Sequence, residues 1–145
     1  MTIVEFLLER IDDDEEIALA AAGWDSSGRV RDAGLWHREG VNSVTNSWGR
    51  TVVHGDGTPP EDSQAEHIVH NDPARVLREC AAKREILEHH RPVDAGLSQS
   101  NACYGCGTAG PCGDYIAEDI SDCPVLTSLA AVYSDHPDYD PTWSA

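Results

Sequence analysis

Four of the five cysteines lie within residues 103–123, a segment made mostly of glycine and polar residues. Cys103 and Cys106 form a C-x2-C pair with Gly105 and Gly107 beside the sulfur atoms. Thiolates at this spacing are typical zinc ligands, and glycine lets the backbone turn toward sulfur without a steric penalty. The pattern therefore predicts a structural metal ion, because the segment has few apolar residues with which to fold by itself.

Two further thiols complete the predicted ligand set. Five residues separate Cys106 from Cys112, and ten separate Cys112 from Cys123. Cys123 precedes a proline that opens a predicted helix, and a helix N-terminus favours a thiolate. We expect one structural Zn²⁺ on Cys103, Cys106, Cys112 and Cys123.

Two histidines at the end of the predicted long helix are alternative fourth ligands. His89 or His90 can reach the C-x2-C pair across a short linker. Free buried thiols and disulfides are the other interpretations of the cluster, and the lack of a secretion signal disfavours disulfides. A redox pair at Cys103 and Cys106 normally begins a helix in a βαβ unit, whereas these cysteines lie in a glycine-rich loop.

The remaining histidines suggest a different chemistry. His67 and His70 are three residues apart in EHIVH, and His136 is flanked by Asp135 and Asp138. Together the three histidines would form the site of a metal-dependent enzyme, which is the alternative function. The H-E-x-x-H motif, the nucleophile elbow and the Gly-rich phosphate loop are all missing. We therefore expect packing or capping roles for His67 and His70, and for His136 a place in a tail that docks by hydrogen bonds.

Charge limits the classes of partner. The chain carries 26 acidic and 10 basic residues, a formal net charge of −16, and residues 92–145 contain no Lys or Arg. Such a surface repels phosphate backbones, so direct nucleic-acid binding is disfavoured. High net charge also serves solubility, and the sharper interpretation is a protein partner with a basic surface. No apolar run approaches the roughly 18 residues of a membrane span, so we expect no membrane association and a cytoplasmic location.

The helices and strands that must position these residues are predicted from the spacing of apolar residues and from helix-capping and turn residues. Thr2 and Glu5 predict a capping box for an N-terminal helix over residues 1–22. Its apolar residues recur at helical spacing, namely Ile3, Val4, Leu7, Leu8 and Ile11. Residues 24–60 alternate β-branched residues with turn signals, which predicts short antiparallel strands near 34–38, 41–47 and 50–54.

Residues 61–91 predict two helices, the second with Pro73 in its first turn and Cys80 on its apolar side. A Cys-rich metal loop at 101–124 and a C-terminal helix and tail at 124–145 follow. We expect one domain over residues 1–145, of the α+β class and mainly helical, with three core helices, a small antiparallel β-sheet and a zinc-bound Cys-rich loop.

Three stretches carry a resemblance: MTIVEFLLERIDDDEEIA, HIVHNDPARVLRECAAKREILEHH and CPVLTSLAAVYSDHPDYDPTW. With its DPARVL…KR…DHPDY pattern, the chain resembles a domain-of-unknown-function family of small proteins from actinobacteria and their phages. The resemblance implies a cytosolic protein of an actinobacterial host cell, or a phage-encoded one that targets a host protein. It implies no activity.

Overall fold

The computed structural model describes residues 1–23, 34–40, 43–54, 60–93 and 101–144. The helices are α1 (Ile3–Ala22), α2 (Asp62–His70), α3 (Pro73–His89) and α4 (Pro124–Ala130). The strands are β1 (Trp36–Glu39), β2 (Ser43–Asn46), β3 (Thr51–His54), β4 (Thr108–Ala109) and β5 (Asp114–Tyr115). The predicted α+β, mainly helical class with a small antiparallel sheet is confirmed.

The chain divides into two compact units. Unit 1 combines Met1–Ile11 with Ala82–Ala145, and unit 2 is Asp12–Ala81. Among the described residues, no helix is long and apolar enough to span a membrane.

The capping box at the start of α1 is confirmed. The Thr2 hydroxyl accepts a hydrogen bond from the Glu5 amide at 3.2 Å, and Glu5 Oε2 accepts one from the Thr2 amide at 2.7 Å. The Thr2 backbone hydrogen bond is the main reason that the pKa of Glu5 lies below its usual value. Reciprocal capping satisfies amides that have no partner within the helix, so α1 begins where the sequence predicts.

Unit 2 contains the three-stranded antiparallel sheet in the order β1–β2–β3. Helix α2 packs on β1 and β2, and Val44 and Ala65 are fully buried there. An ion pair of 2.6 Å between Arg38 and Asp62 also joins β1 to α2. The predicted strands are confirmed to within about two residues where the structure describes them, whereas residues 24–33, 41–42 and 55–59 of the predicted sheet region, including Trp24, lie outside the described residues.

A buried aspartate fixes the start of α3 against the sheet. Asp72 Oδ1 accepts a hydrogen bond from the Arg75 amide at 2.8 Å, and its Oδ2 accepts one from the Trp36 amide at 3.3 Å. Asp72 is only 7% exposed, and both of its oxygens have amide partners. One carboxylate therefore caps a helix and holds the first residue of β1.

Unit 1 is built around an aromatic cluster that the tail forms with the first turns of α1. Phe6 is fully buried, and four aromatic rings of the C-terminal segment lie 5.1–6.3 Å from its centroid: Tyr133, His136, Tyr139 and Trp143. The tail, residues 131–144 after α4, forms short 3₁₀ turns at Ala131–Tyr133 and Pro141–Trp143. Burial of Phe6 and Trp143 makes this tail part of the core of unit 1.

Candidate metal centre

Three segments of unit 1 bring four ligand atoms together. His90 follows the last residue of α3, Cys103 and Cys106 form a tight turn, and Cys123 directly precedes α4. The three Sγ atoms and one ring nitrogen of these residues all lie within 4.8 Å of one another. His90 Nδ1 lies 3.4 Å from Cys103 Sγ, 3.5 Å from Cys123 Sγ and 3.9 Å from Cys106 Sγ. Cys123 Sγ lies 3.5 Å from each of the other two sulfurs.

Five of the six separations in the group lie close to the edges of a tetrahedral coordination sphere, and the sixth, between the sulfurs of Cys103 and Cys106, is within 4.8 Å. Zn–S bonds of about 2.3 Å and Zn–N bonds of about 2.0 Å at tetrahedral angles place sulfurs about 3.8 Å apart, and sulfur and nitrogen about 3.5 Å apart. The observed sulfur separations of 3.5 Å and sulfur–nitrogen separations of 3.4–3.9 Å fall close to both values. The four side chains are therefore close enough together for one metal ion to fit among them.

Backbone pairing brings the end of α3 to the cysteine turn. The Val93 amide donates to the Ala102 carbonyl at 2.8 Å, and the Tyr104 amide donates to the Arg91 carbonyl at 3.0 Å. On its other side, the Cys103 amide donates to the Ala117 carbonyl at 3.0 Å. Cys103 is completely buried between these partners, so its sulfur has little freedom.

Glycine is required twice in the cysteine turn. A β-carbon on Gly105 would lie 2.6 Å from the His89 carbonyl oxygen and 2.8 Å from His90 Nδ1. Gly107 has a φ of +72°, and its amide donates to the Tyr104 carbonyl at 3.1 Å to close the turn. The two glycines beside the sulfurs therefore have different roles. Gly105 allows close approach of the backbone to the end of α3, and Gly107 adopts a left-handed backbone conformation.

Cys123 is positioned by the two short helices that meet at it. Asp119 caps the 3₁₀ turn Ile120–Asp122 by accepting from the Ser121 amide at 2.8 Å, and the Cys123 amide donates to the Ile120 carbonyl at 3.2 Å. Cys123 is the N-cap residue of α4, and its carbonyl accepts a hydrogen bond from the Thr127 amide at 2.9 Å. The hydrogen bonds from Ser121 to Asp119 also lower the pKa of that carboxyl.

The arrangement disfavours ionisation of the Cys106 thiol. Burial, together with the neighbouring thiols of Cys123 and Cys103, raises the pKa of Cys106 to about 12. Loss of water and two adjacent sulfurs both disfavour negative charge on Cys106. A divalent cation among them reverses this effect, because it stabilises the thiolates that it binds.

The predicted ligands do not all meet. Cys112 lies in the exposed turn between β4 and β5 and is not a member of the group. The fourth member of the group is His90, one of the two alternative ligands, while His89 is exposed. A groove of about 710 Å³ borders the centre and is lined by His89, His90, Tyr104 and Tyr115 among others.

The histidines of the alternative enzyme site have other partners. His70 Nε2 pairs with Glu66 at 3.2 Å, and the His67 ring lies 3.3 Å from the Asn71 side chain. His136 Nδ1 lies 3.4 Å from Arg10 and 3.2 Å from the Asp138 amide. Within the described part of the chain, the group of His90 and three cysteines is the one set of potential metal ligands.

Comparison with known proteins places the chain without assigning it an activity. No curated protein and no solved structure matches it. A family model does match it over residues 1–145, which is the whole chain. The protein therefore belongs to DUF6221, a family of unknown function.

Proposed function

We propose that His90, Cys103, Cys106 and Cys123 bind one structural Zn²⁺, and that the chain is a zinc-stabilised module that binds a protein partner with a basic surface in the cytoplasm. The observation that carries the metal proposal is the meeting of three sulfurs and one imidazole nitrogen within 4.8 Å. Soft thiolates with imidazole favour zinc over oxygen-seeking ions such as Mg²⁺ and Ca²⁺.

The donor set supports a structural rather than a catalytic ion. Four protein ligands fill a tetrahedral sphere, whereas catalytic zinc sites keep one position open for water or substrate. The site also joins the end of α3 to two parts of the cysteine-rich segment. Apart from cysteine, the buried apolar residues between Asn101 and Cys123 are few, namely Ala102, Ala117 and Ile120. A metal ion supplies the folding free energy that this short core lacks.

Charge supports the partner proposal. Even if each of the 10 Lys and Arg residues paired with one carboxylate, 26 − 10 = 16 acidic residues would remain. A basic protein surface gains rapid association and favourable contacts from such an excess, while nucleic acid is repelled. The alternative enzyme with His67, His70 and His136 has no comparable support, since each of these side chains has a partner of another kind.

Metal analysis of purified protein tests the zinc proposal. We expect about one Zn²⁺ per chain in the wild type and in Cys112→Ser, but little in Cys123→Ser. His90→Ala should lose affinity while the matched variant His89→Ala keeps it, because only His90 contributes to the group. A metal-free wild type, or loss of zinc from Cys112→Ser, would contradict the proposed ligand set.

Cobalt substitution gives an independent readout of the ligands. Co²⁺ in a three-thiolate, one-imidazole site should show intense charge-transfer and visible bands of a tetrahedral ion. Removing Cys106 should reduce the charge-transfer intensity, while removing Cys112 should leave the spectrum unchanged. A spectrum of an octahedral ion would refute a closed tetrahedral site.

Affinity capture tests the partner proposal. The protein should retain basic proteins from an actinobacterial lysate, and the capture should weaken steeply as salt is raised. Retention that depends on nucleic acid in the lysate, and is lost on nuclease treatment, would contradict it.

A further inference from the structure

Unit 2 contains an apolar groove with an acidic edge. The groove has a volume of about 290 Å³ and is lined by residues of α1, β1 and the start of α3, among them Asp14, Ile17, Ala21, Trp36, Pro73 and Val76. Ile17 is 69% exposed, which leaves a large aliphatic side chain in water at the groove. The groove therefore offers a largely apolar lining with one carboxylate, the kind of lining that ligand clefts have.

One wall of the groove is fixed by hydrogen bonds. The Trp36 amide donates to the buried Asp72 carboxylate at 3.3 Å, and the Ala74 amide donates to the Gly34 carbonyl at 3.1 Å. These bonds hold the start of β1 against the start of α3. A groove that is already formed costs a ligand less ordering free energy than one that must be created on binding.

Size and charge indicate the class of occupant. Pockets for drug-sized molecules span about 300–1,000 Å³. At about 290 Å³ the groove falls below that range and suits one or two anchor side chains of a peptide. Asp14 lies in the lining, and it belongs to the run of five consecutive carboxylates Asp12–Glu16. These adjacent carboxylates, on a chain with a net charge of −16, favour positive charge in a ligand at this edge.

We propose that this groove is the docking site for a basic segment of a protein partner, one that inserts an aliphatic side chain beside Ile17 and Trp36 and places Lys or Arg next to Asp14. The inference rests on the partner half of the proposed function and specifies the surface and the ligand chemistry. It does not depend on the zinc proposal, because none of the four potential metal ligands lies in unit 2.

The probe is a synthetic 16-residue peptide of Leu and Lys with the leucines at helical spacing, so that one face is apolar and the other basic. Binding is measured by calorimetry and mapped by amide chemical shifts in ¹⁵N-labelled full-length protein. We expect the largest shifts at the groove. We expect Ile17→Ser to weaken binding about tenfold, and Asp14→Asn to weaken it several-fold and reduce its salt dependence.

Two variants in unit 1 serve as matched controls. Ile116 is 61% exposed and Asp114 is exposed, so Ile116→Ser and Asp114→Asn make the same chemical changes away from the groove lining. Both should bind the probe as the wild type does. A peptide of the same composition with the leucines scrambled should bind more weakly, and a Leu/Glu peptide should not bind.

Several results would overturn the docking site. Equal affinity of Ile17→Ser and wild type would mean that the peptide only adsorbs to acidic surface. Self-association that Ile17→Ser abolishes, without peptide binding, would assign the groove to a second copy of the chain. Zinc content is measured in every sample, so normal zinc with no groove binding refutes this inference alone, and groove binding without zinc refutes the zinc proposal alone.

Discussion

Gly105 shows how one residue permits the metal centre to form. Its α-carbon lies so close to the end of α3 that an added methyl group would meet the His89 carbonyl oxygen at 2.6 Å. Contacts this short between carbon and oxygen do not occur without movement of one partner, and here the partner is backbone. The absence of a side chain at Gly105 is thus a condition for His90 to reach the cysteines.

Replacing Gly105 with Ala should weaken zinc binding by about tenfold or more, the scale on which changes just outside the ligand shell act. The cause is separation of the cysteine turn from His90. Competition with a chromophoric zinc chelator measures the change. Gly113→Ala is the control, because a β-carbon there meets nothing within 4 Å although its φ is +70°. It should cost some stability but leave zinc affinity unchanged; equal losses in both variants would refute the steric argument.

At the level of elements, α1 and the C-terminal tail stabilise each other. Phe6 is fully buried and Trp143 is 5% exposed, with their ring centroids 5.1 Å apart. Cys123 opens α4, and the tail follows α4. The aromatic cluster therefore anchors one end of a stretch of chain whose other end carries Cys123, one of the four potential metal ligands.

Trp143→Ala should lower the free energy of unfolding by about 3 kcal/mol, because it leaves a large cavity beside Phe6. Urea unfolding followed by circular dichroism measures this change. Trp48→Ala makes the same substitution at a side chain that is 59% exposed, and it should change the free energy by no more than about 0.5 kcal/mol. Similar small effects in both variants would show that the tail is not part of the core.

The 3₁₀ turn at the end of the tail should be sensitive to acid. Asp140 accepts hydrogen bonds from the Thr142 amide at 2.9 Å and the Thr142 hydroxyl at 2.8 Å, and the amide bond is the main cause of the lowered pKa of Asp140. A folded-state pKa below the unfolded value of about 3.9 means that the stabilisation is present above that pH. It is lost as pH falls through the folded-state pKa.

Asp140→Ala should therefore be less stable than wild type at pH 7, and the difference should shrink below about pH 3.9. Urea unfolding at a series of pH values measures it, and loss of metal in acid affects both proteins and cancels in the difference. Asp140→Asn keeps an acceptor that does not titrate, so its stability relative to Asp140→Ala should not vary with pH. A wild-type advantage that is as large at acidic pH as at pH 7 would refute the role of the ionised carboxylate.

For the whole molecule, the two units rely on different sources of stability. Unit 2 has a paired sheet and the buried residues Val44 and Ala65, whereas residues 101–123 of unit 1 depend on the four potential metal ligands. Backbone hydrogen bonds such as that from the Cys103 amide to the Ala117 carbonyl form only while this segment is folded. Metal removal should therefore act locally before it acts globally.

Chelation with EDTA should lower the thermal midpoint and speed hydrogen exchange at the amides of Cys103, Gly107 and Ile116. Amides of β2 should retain more of their protection, because their partners lie in the sheet. Adding Zn²⁺ back should restore both properties, and adding Mg²⁺ should not. Hydrogen exchange with mass spectrometry makes the comparison, and uniform loss of protection in both units would contradict local stabilisation by the metal.

Local signals in the sequence predicted much of this protein. The Thr2–Glu5 capping box, Pro73 in the first turn of α3 and Pro124 at the start of α4 lie where those residue types satisfy or remove backbone donors. The class of the fold and the meeting of Cys103, Cys106 and Cys123 also agree with the sequence pattern. Each of these features depends either on interactions between residues close in the chain or on residue types, such as cysteine, that are recognisable in the sequence as metal ligands.

The tertiary structure decided what depends on distance in space. His90 rather than Cys112 lies with the other three potential ligands, because backbone pairing joins the end of α3 to the cysteine turn while the β4–β5 hairpin holds Cys112 in an exposed turn. Phe6, absent from the predicted apolar stripe, is fully buried under the tail, whereas Leu8 in that stripe is 39% exposed. Composition and charge are fixed by the sequence itself, but which distant side chains meet is set by packing of segments far apart in the chain.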